Sequence, residues 1–137
     1  MRALPFFFLL AACGQAGDAE IRASVSLQQG LTAADIKSLD LTIADGTSSD
    51  GTPFTCAKLG SAWIVERADA QIRYSKLLTP GNTKVTDIAK GTGFVVVLDG
   101  YATADAVGQR TAFGCVDGVT IAGGQTKSLS FTLAPLP

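Results

Sequence analysis

Short stretches in which apolar residues alternate with polar ones recur along this chain. A period of two places one row of side chains on a core and the other row in solvent, as in a half-buried β-strand. The pattern is found at 21–27, 39–43 and 128–133, and more weakly at 72–76. The alternation therefore predicts a protein built from short β-strands.

One stretch departs from the alternation. Phe94 to Leu98 is a continuous apolar run that contains three valines, with Gly91 and Gly93 before it and the Asp99-Gly100 pair after it. A short β-branched run between glycine-containing turns is typical of a buried strand. We therefore expect a central strand at 94–98.

Glycine and proline mark the turns between the strands. Asp117-Gly118 separates strands predicted at 111–116 and 119–122, and Gly123-Gly124 supplies a hairpin turn before the last strand. Thr79-Pro80-Gly81-Asn82 combines Pro, which fixes φ, with Gly, which allows a positive φ. That combination predicts a type II turn.

Helical signals are confined to two places. Thr32 to Lys37 predicts one helical turn with Thr32 as its N-cap. Cys56 to Ala70 contains helix-forming residues but also Gly60, so it predicts at most a short helix. About seven or eight short strands with turn signals between them predict an all-β fold, an antiparallel Greek-key β-sandwich.

The C-terminal half repeats a pattern of glycine-bounded strands. The segment GFVVVLDGY at 93–101 is followed by GCVDGVTI at 114–121 and by a glycine hairpin into the last strand. Over residues 85–135 this pattern resembles the prealbumin-like sandwiches of carboxypeptidase regulatory domains and of many small bacterial lipoproteins. The resemblance implies a fold and no catalytic residue. An immunoglobulin domain is disfavoured, because Trp63 follows Cys56 too closely and Phe113 stands where that family has Tyr.

The N-terminus has the organisation of a secretory signal. Residues 1–13 read MRALPFFFLLAAC, with one positive charge at Arg2, a short apolar run and two alanines before Cys13. The apolar run is about half of the roughly 20 residues that a membrane-spanning helix needs. Leu10-Ala11-Ala12-Cys13 resembles the lipobox of bacterial lipoproteins.

That resemblance implies that residues 1–12 are removed and that Cys13 becomes an acylated N-terminus. Two or three acyl chains anchor a protein firmly to a membrane, whereas one chain binds only marginally. Residues 13–20 then form the lipidated cysteine and a short linker, and 21–137 form the β-sandwich domain. Gly14, in place of the Asp that retains enterobacterial lipoproteins in the inner membrane, favours the outer membrane of the cell envelope. The alternative is an ordinary signal peptide, with Cys13 incidental.

With Cys13 assigned to lipid, Cys56 and Cys115 remain as a pair. An even number of cysteines in an exported protein predicts a disulfide, although sequence does not show whether the two lie within bonding distance. The alternatives are two separate buried thiols, or a reactive or metal-binding cysteine. The last is weaker, since the chain has no Cys-x-x-Cys motif and no basic residue beside Cys115.

Composition excludes several classes of function. The chain contains no His, which removes His-based acid/base catalysis and His-ligated metals. Eleven basic residues against twelve acidic ones give a net charge of -1, which lacks the cationic field that nucleic acid requires. We expect no cofactor, no metal and no nucleic-acid partner.

Two loops resemble ligand-binding motifs only superficially. Gly91-x-Gly93 lacks the third glycine of a dinucleotide fingerprint and precedes a strand, so it is interpreted as a turn. The acidic loop from Asp45 to Asp50 and Gly51 suggests calcium, but it lacks the alternating ligands and terminal Glu of an EF-hand. A solvated loop is the preferred interpretation.

The remaining candidates for chemistry have no evident partner. Glu66 and Asp69 are a carboxylate pair of the kind that glycoside hydrolases use, and we interpret them as a solvated face. Three serines lack a His base, and a Ser/Lys dyad needs a spatial partner that sequence does not identify: Ser48, Ser49 and Ser61. Trp63 is interpreted as a core residue, with an exposed contact as the alternative.

The expected function is therefore that of a membrane-anchored envelope lipoprotein with a binding or structural accessory role and no catalysis. Its partners are the membrane, through acyl chains on Cys13, and a membrane-proximal protein. One alternative is an accessory subunit of an envelope or secretion assembly, which a large exposed apolar patch would favour. Another is a carboxylate-based hydrolase, which a pocket with two converging acids would favour.

Overall fold

A computed structural model describes residues 17–59 and 70–136. This part of the chain forms one short helix, α1, and seven strands, β1 to β7, in an all-β fold as predicted. None of its helices is long and apolar enough to cross a membrane. The elements in chain order are β1 Ala19–Leu27, β2 Ser38–Ala44, α1 Cys56–Leu59, β3 Ile72–Leu78, β4 Lys84–Ile88, β5 Gly91–Tyr101, β6 Arg110–Ile121 and β7 Thr126–Pro135.

The strands form one mixed sheet in the order β3-β2-β5-β6-β7-β1-β4. Neighbouring strands are antiparallel except β1 and β7, which run parallel from Glu20 opposite Thr126 to Leu27 opposite Leu133. This parallel pair was not part of the antiparallel prediction. The end of β7 leaves β1 and pairs with β6 instead, through Ala134 and Pro135. β7 therefore links the β4-β1 part of the sheet to the β6-β5-β2-β3 part.

The two ends of the sheet meet, because β3 and β4 are consecutive in the chain but lie at opposite ends of the strand order. A tight turn joins them, with the Asn82 N–H donating to the Thr79 carbonyl at 3.0 Å. The position of this turn is as predicted. The predicted turn type is wrong, because Gly81 does not have the positive φ that a type II turn requires. We call the line along which β3 and β4 face each other the seam.

The main core fills the space that the curved sheet encloses. It takes alternate residues of β1, β2, β5 and β7, since successive side chains of a strand point to opposite faces. Its fully buried members include Ile21, Leu41, Ile43, Val96, Leu98, Phe131 and Leu133. The alternation in the sequence therefore marks the inward face of β1, β2 and β7 correctly.

β5 is buried on both faces, which explains its continuous apolar run. Val96 and Leu98 face the main core, while Val95 and Val97 belong to a second cluster on the outside of the sheet. Phe54 and Leu59 also belong to this second cluster, together with Ala44. The predicted central strand at 94–98 is confirmed, and it extends at both ends.

Two predicted breaks lie inside strands. Asp117-Gly118 does not end a strand, because β6 continues through it. Gly118 has φ 63° there, and the register with β5 shifts between Val116 and Val119. Such a shift with a glycine at positive φ is how an extra residue is accommodated in a ladder. Asp99-Gly100 is likewise part of β5, and Asp99 is fully buried.

The short helical elements agree with the sequence. Residues 33–35 form one 3₁₀ turn after Thr32, whose N–H donates to the Asp35 carboxylate at 2.7 Å. α1 covers the first residues of the region in which at most a short helix was predicted. Residues 60–69 of that region lie outside the described residues.

The predicted disulfide is present. Cys56 in α1 and Cys115 in β6 are bonded, with their Cα atoms 5.7 Å apart. The bond attaches the segment that covers the second cluster to the middle of the sheet. The Cys56 N–H also donates to the Asp117 carboxylate at 3.0 Å, which adds a second link between α1 and β6.

Candidate functional site

The seam widens into a cleft of about 570 Å³ at the end remote from the β3–β4 turn. Its walls are the start of β3, the end of β2 with Asp45, and the segment that joins β4 to β5. Its lining is partly apolar and partly ionic, and it comprises Ile43, Asp45, Arg73, Tyr74, Asp87, Ile88, Ala89, Lys90, Gly91, Thr92 and Phe94. A concave surface with a few polar groups on an apolar floor is the usual form of a ligand site.

One wall of the cleft is formed by a bidentate ion pair between Arg73 and Asp45. Arg73 donates from Nε to Asp45 Oδ1 and from Nη2 to Asp45 Oδ2, both at 2.7 Å. The hydrogen bond and the charge of Asp45 raise the pKa of Arg73, which stays a cation. The guanidinium side chain is 61% exposed, so the pair is a fixed polar feature of the surface.

Tyr74 closes the narrow part of the seam. Its ring packs against the main core, and its hydroxyl lies 3.4 Å from the Thr86 carbonyl of β4. Burial of the ring, and then the negative charge of Asp87, raise the pKa of the Tyr74 hydroxyl. The hydroxyl therefore stays protonated at neutral pH and able to donate across the seam.

The β4 side of the cleft carries a strained backbone. Asp87 has φ 64°, a conformation that L-residues adopt at a cost and that Asp tolerates better than most. It stands one residue before the end of β4, where the chain turns away from β3 toward Lys90. Strained residues are concentrated at functional sites, and this one lines the cleft.

The predicted acidic loop uses its carboxylates internally. Asp45 is held by Arg73, and the Asp50 Oδ1 atom accepts from the Thr52 hydroxyl at 2.7 Å and from its N–H at 3.1 Å. These two hydrogen bonds, led by the hydroxyl, lower the pKa of Asp50. Within residues 17–59 and 70–136 no three His, Cys, Asp or Glu residues are grouped so as to hold a metal ion.

The other candidates lie apart from the cleft. Ser48 is buried and its hydroxyl has no hydrogen-bond partner, so no base activates it, while Ser49 is exposed. Gly91 and Gly93 belong to β5 and line or flank the cleft as backbone. The remaining candidates lie outside the described residues: Cys13, Ser61, Trp63, Glu66 and Asp69.

The cleft was not predicted from the sequence. Its residues come from β2, β3, β4 and β5, and they meet only because the sheet curves. One signal was available, since residues 72–90 hold four of the eleven basic residues of the chain and one of its twelve acidic ones. That local excess of positive charge is concealed by the balanced total.

Comparisons with known proteins show no relative in sequence. The chain matches no protein-family model and none of the curated proteins. Among solved structures it is similar to a point mutant of a pilus-presented adhesin, Spy0125 (Cpa), with 11% identity and a TM-score of 0.31. That match covers 89% of this chain and 28% of the adhesin chain, and at this TM-score it supports no inference about function.

Proposed function

We propose that this protein is a lipid-anchored component of the bacterial envelope that binds a partner through the cleft at the seam. The lipobox at 10–13 supports the anchor. The observation that carries the binding role is the position of the cleft, which lies beside the point where the chain enters the domain.

That entry point is defined by Gly17. A Cβ atom at Gly17 would lie 1.9 Å from the Ile88 carbonyl oxygen, so the backbone there is in direct contact with a residue that lines the cleft. Asp18 is also fixed, because its carboxylate accepts the Gly124 N–H at 2.7 Å. Only residues 14–16 then separate this contact from Cys13, a span of at most about 14 Å. The cleft is therefore held close to the membrane surface.

The cleft favours binding over catalysis. Asp45 and Asp87 both line it, which is the arrangement that a carboxylate-based hydrolase would use. Both carboxylate oxygens of Asp45 accept from Arg73, however, and Asp87 is exposed to solvent. A catalytic carboxyl group needs an oxygen free to reach the substrate and shelter from solvent; Asp45 lacks the first and Asp87 the second.

An accessory role in a larger assembly is the second candidate. Ile72 and Leu77 on β3 are 43% and 47% exposed, and both lie on the strand that forms one side of the seam. Ile72 lies at the cleft end of β3 and Leu77 at the turn end, and exposed apolar side chains along such a strand suit a protein partner better than a small solute.

Two measurements test the proposal. Cys13→Ser is expected to abolish incorporation of labelled fatty acid and to leave the precursor uncleaved at 12–13, and unchanged labelling would exclude the anchor. A photo-crosslinking amino acid at Thr92, in the cleft, is expected to give a discrete adduct in living cells. The same residue at Ser26, exposed on β1, is the control. Equal adducts from both positions, or none from Thr92, would reject the cleft as the binding site.

A further inference from the structure

We infer that the seam binds an extended, acidic segment of a partner protein as an added β-strand between β3 and β4. This inference rests on the proposed function and specifies the partner of the same cleft.

The first support is the strand arrangement. In the described part of the chain β3 pairs only with β2, and β4 only with β1, so each strand has one edge facing the seam. The two strands are bridged next to their turn, by Thr79 and Asn82, and no ladder joins them further along. Edges with free backbone groups are the sites at which extended peptides add to sheets.

The backbone of β4 is oriented for such pairing. The Thr83 carbonyl accepts the Ala23 N–H and therefore points to β1. The Thr86 carbonyl receives the Tyr74 hydroxyl and therefore points to β3. Because backbone groups alternate along a strand, Lys84 and Thr86 direct theirs into the seam, where the Lys84 N–H donates to Asn82 Oδ1 at 3.5 Å. The Tyr74 hydroxyl occupies one position that a main-chain N–H of an added strand would take.

The charges along the seam indicate which kind of strand would bind there. Lys76 on β3, Lys84 on β4 and Lys90 in the cleft are exposed cations, and Asp87 is the one acidic residue among 72–90. Arg73 is already neutralised by Asp45. Lysines on an edge discourage pairing with a second copy of the same edge, since like charges would then face each other. An acidic strand would place its carboxylates beside these lysines, so its binding is favoured.

The test uses a fluorescent seven-residue peptide of alternating Glu and Val with capped ends, and the mature exported protein in detergent. We expect saturable binding that weakens as salt is added, and photo-crosslinks from the peptide that map to residues 72–90. A Lys/Val peptide of the same length, and the Glu/Val peptide N-methylated at alternate residues, are expected to bind at least tenfold more weakly.

Protein variants make the test specific. Lys76→Glu with Lys84→Glu is expected to weaken binding at least tenfold, whereas Lys37→Glu with Lys127→Glu, the same change of charge away from the seam, is expected to leave it within about twofold. Tyr74→Phe removes the competing hydroxyl and is expected to strengthen binding roughly fivefold, the factor that one neutral hydrogen bond supplies.

Several outcomes would overturn the inference. Equal binding of the N-methylated peptide would show that no β-ladder forms. Crosslinks between two protein copies, or from residues 13–16 to the seam, would identify a second copy or the chain's own N-terminal segment as the occupant. If the peptide does not bind but the Thr92 adduct persists, strand addition is wrong and the proposed function stands. If both are absent, both are wrong.

Discussion

At the scale of single residues, Arg110 and Asp99 form a buried ion pair on the outer face of the sheet. Arg110 Nη1 donates to Asp99 Oδ1 at 2.8 Å, and the two side chains are 5% and 0% exposed. The guanidinium also lies over the Phe113 ring, 5.5 Å from its centre. Burying two charges is costly, and the attraction between them offsets that cost only in part, so such a pair is weak evidence for stability.

Removing one partner of this pair should be far more damaging than removing both. Arg110→Met leaves the Asp99 charge buried, and we expect it to lower the free energy of unfolding by about 3–5 kcal/mol. Asp99→Val with Arg110→Met leaves no buried charge and should cost much less. Urea unfolding of the disulfide-intact protein measures both.

The exposed pair provides the control for that experiment. Arg22→Met breaks the 2.6 Å contact with Glu20, in which the arginine side chain is 64% exposed, and should change stability by less than about 1 kcal/mol. A double variant that is as unstable as Arg110→Met would show that the pair itself is a net source of stability.

Tyr74 should report on the seam through its titration. Burial, and then Asp87, raise its pKa above the ordinary value of 10.0. The folded state therefore holds the phenol proton more tightly than the unfolded state, and this contribution is complete below the unfolded pKa and is lost as the pH rises through the folded one. We expect stability to fall more steeply above pH 10 in the natural protein than in Tyr74→Phe.

The same titration separates the effect of burial on the pKa of Tyr74 from the effect of Asp87. In Asp87→Asn the phenolate absorbance of Tyr74 should appear at a lower pH than in the natural protein, yet still above the ordinary value, since burial remains. An unchanged titration in Asp87→Asn would show that Asp87 has no influence on Tyr74.

At the scale of elements, α1 depends on its attachment to β6. The helix has only four residues, too few to be stable alone, so contacts must hold it. The disulfide and the hydrogen bond from Cys56 to Asp117 supply two of them. Together they keep Phe54 and Leu59 over the outer face of β5.

Loss of the disulfide should therefore be visible in the stability of the whole domain. The bond joins residues 59 apart in sequence, and the chain-entropy model gives roughly 4 kcal/mol for a loop of that size. Cys56→Ala with Cys115→Ala should lower the melting temperature markedly. Treatment of the natural protein with reductant should do the same and should have no effect on the double variant. A double variant with the same melting temperature as the natural protein would show that the second cluster is held by packing alone.

At the scale of the whole molecule, the entry of the chain and the cleft share one end of the sheet. Gly17 contacts Ile88, and Ile88 lines the cleft. A lipid anchor at Cys13 would therefore restrict the cleft to partners that lie in the same membrane or close to its surface.

Lengthening the tether should weaken capture of such a partner. With about 40 flexible residues inserted after Gly14, the effective concentration of the cleft near the membrane falls steeply. The yield of the Thr92 adduct should then drop severalfold at equal abundance and equal lipidation. An unchanged yield would mean that the short tether is incidental.

The local pattern of apolar and polar residues predicted most of the strands. It gave the wrong result where a contact between two elements determines the backbone conformation. The strands at 21–27, 39–43 and 94–98 were found because burial imposes a period of two or a continuous apolar run. Asp117-Gly118 looked like a turn because its residues favour one, but pairing with β5 carries the strand through it. Gly81 allowed a type II turn and did not require one.

By itself the sequence determined the all-β class and the central strand, because each depends on composition or on residues close together in the chain. It offered Cys56 and Cys115 as a pair, and the structure placed them within bonding distance. Only the tertiary structure decided that β1 runs parallel to β7, that Asp99 meets Arg110, and that β3 and β4 face each other across a cleft. These features depend on how a curved sheet brings its two ends together. That curvature results from the packing of the core as a whole, and no local pattern encodes it.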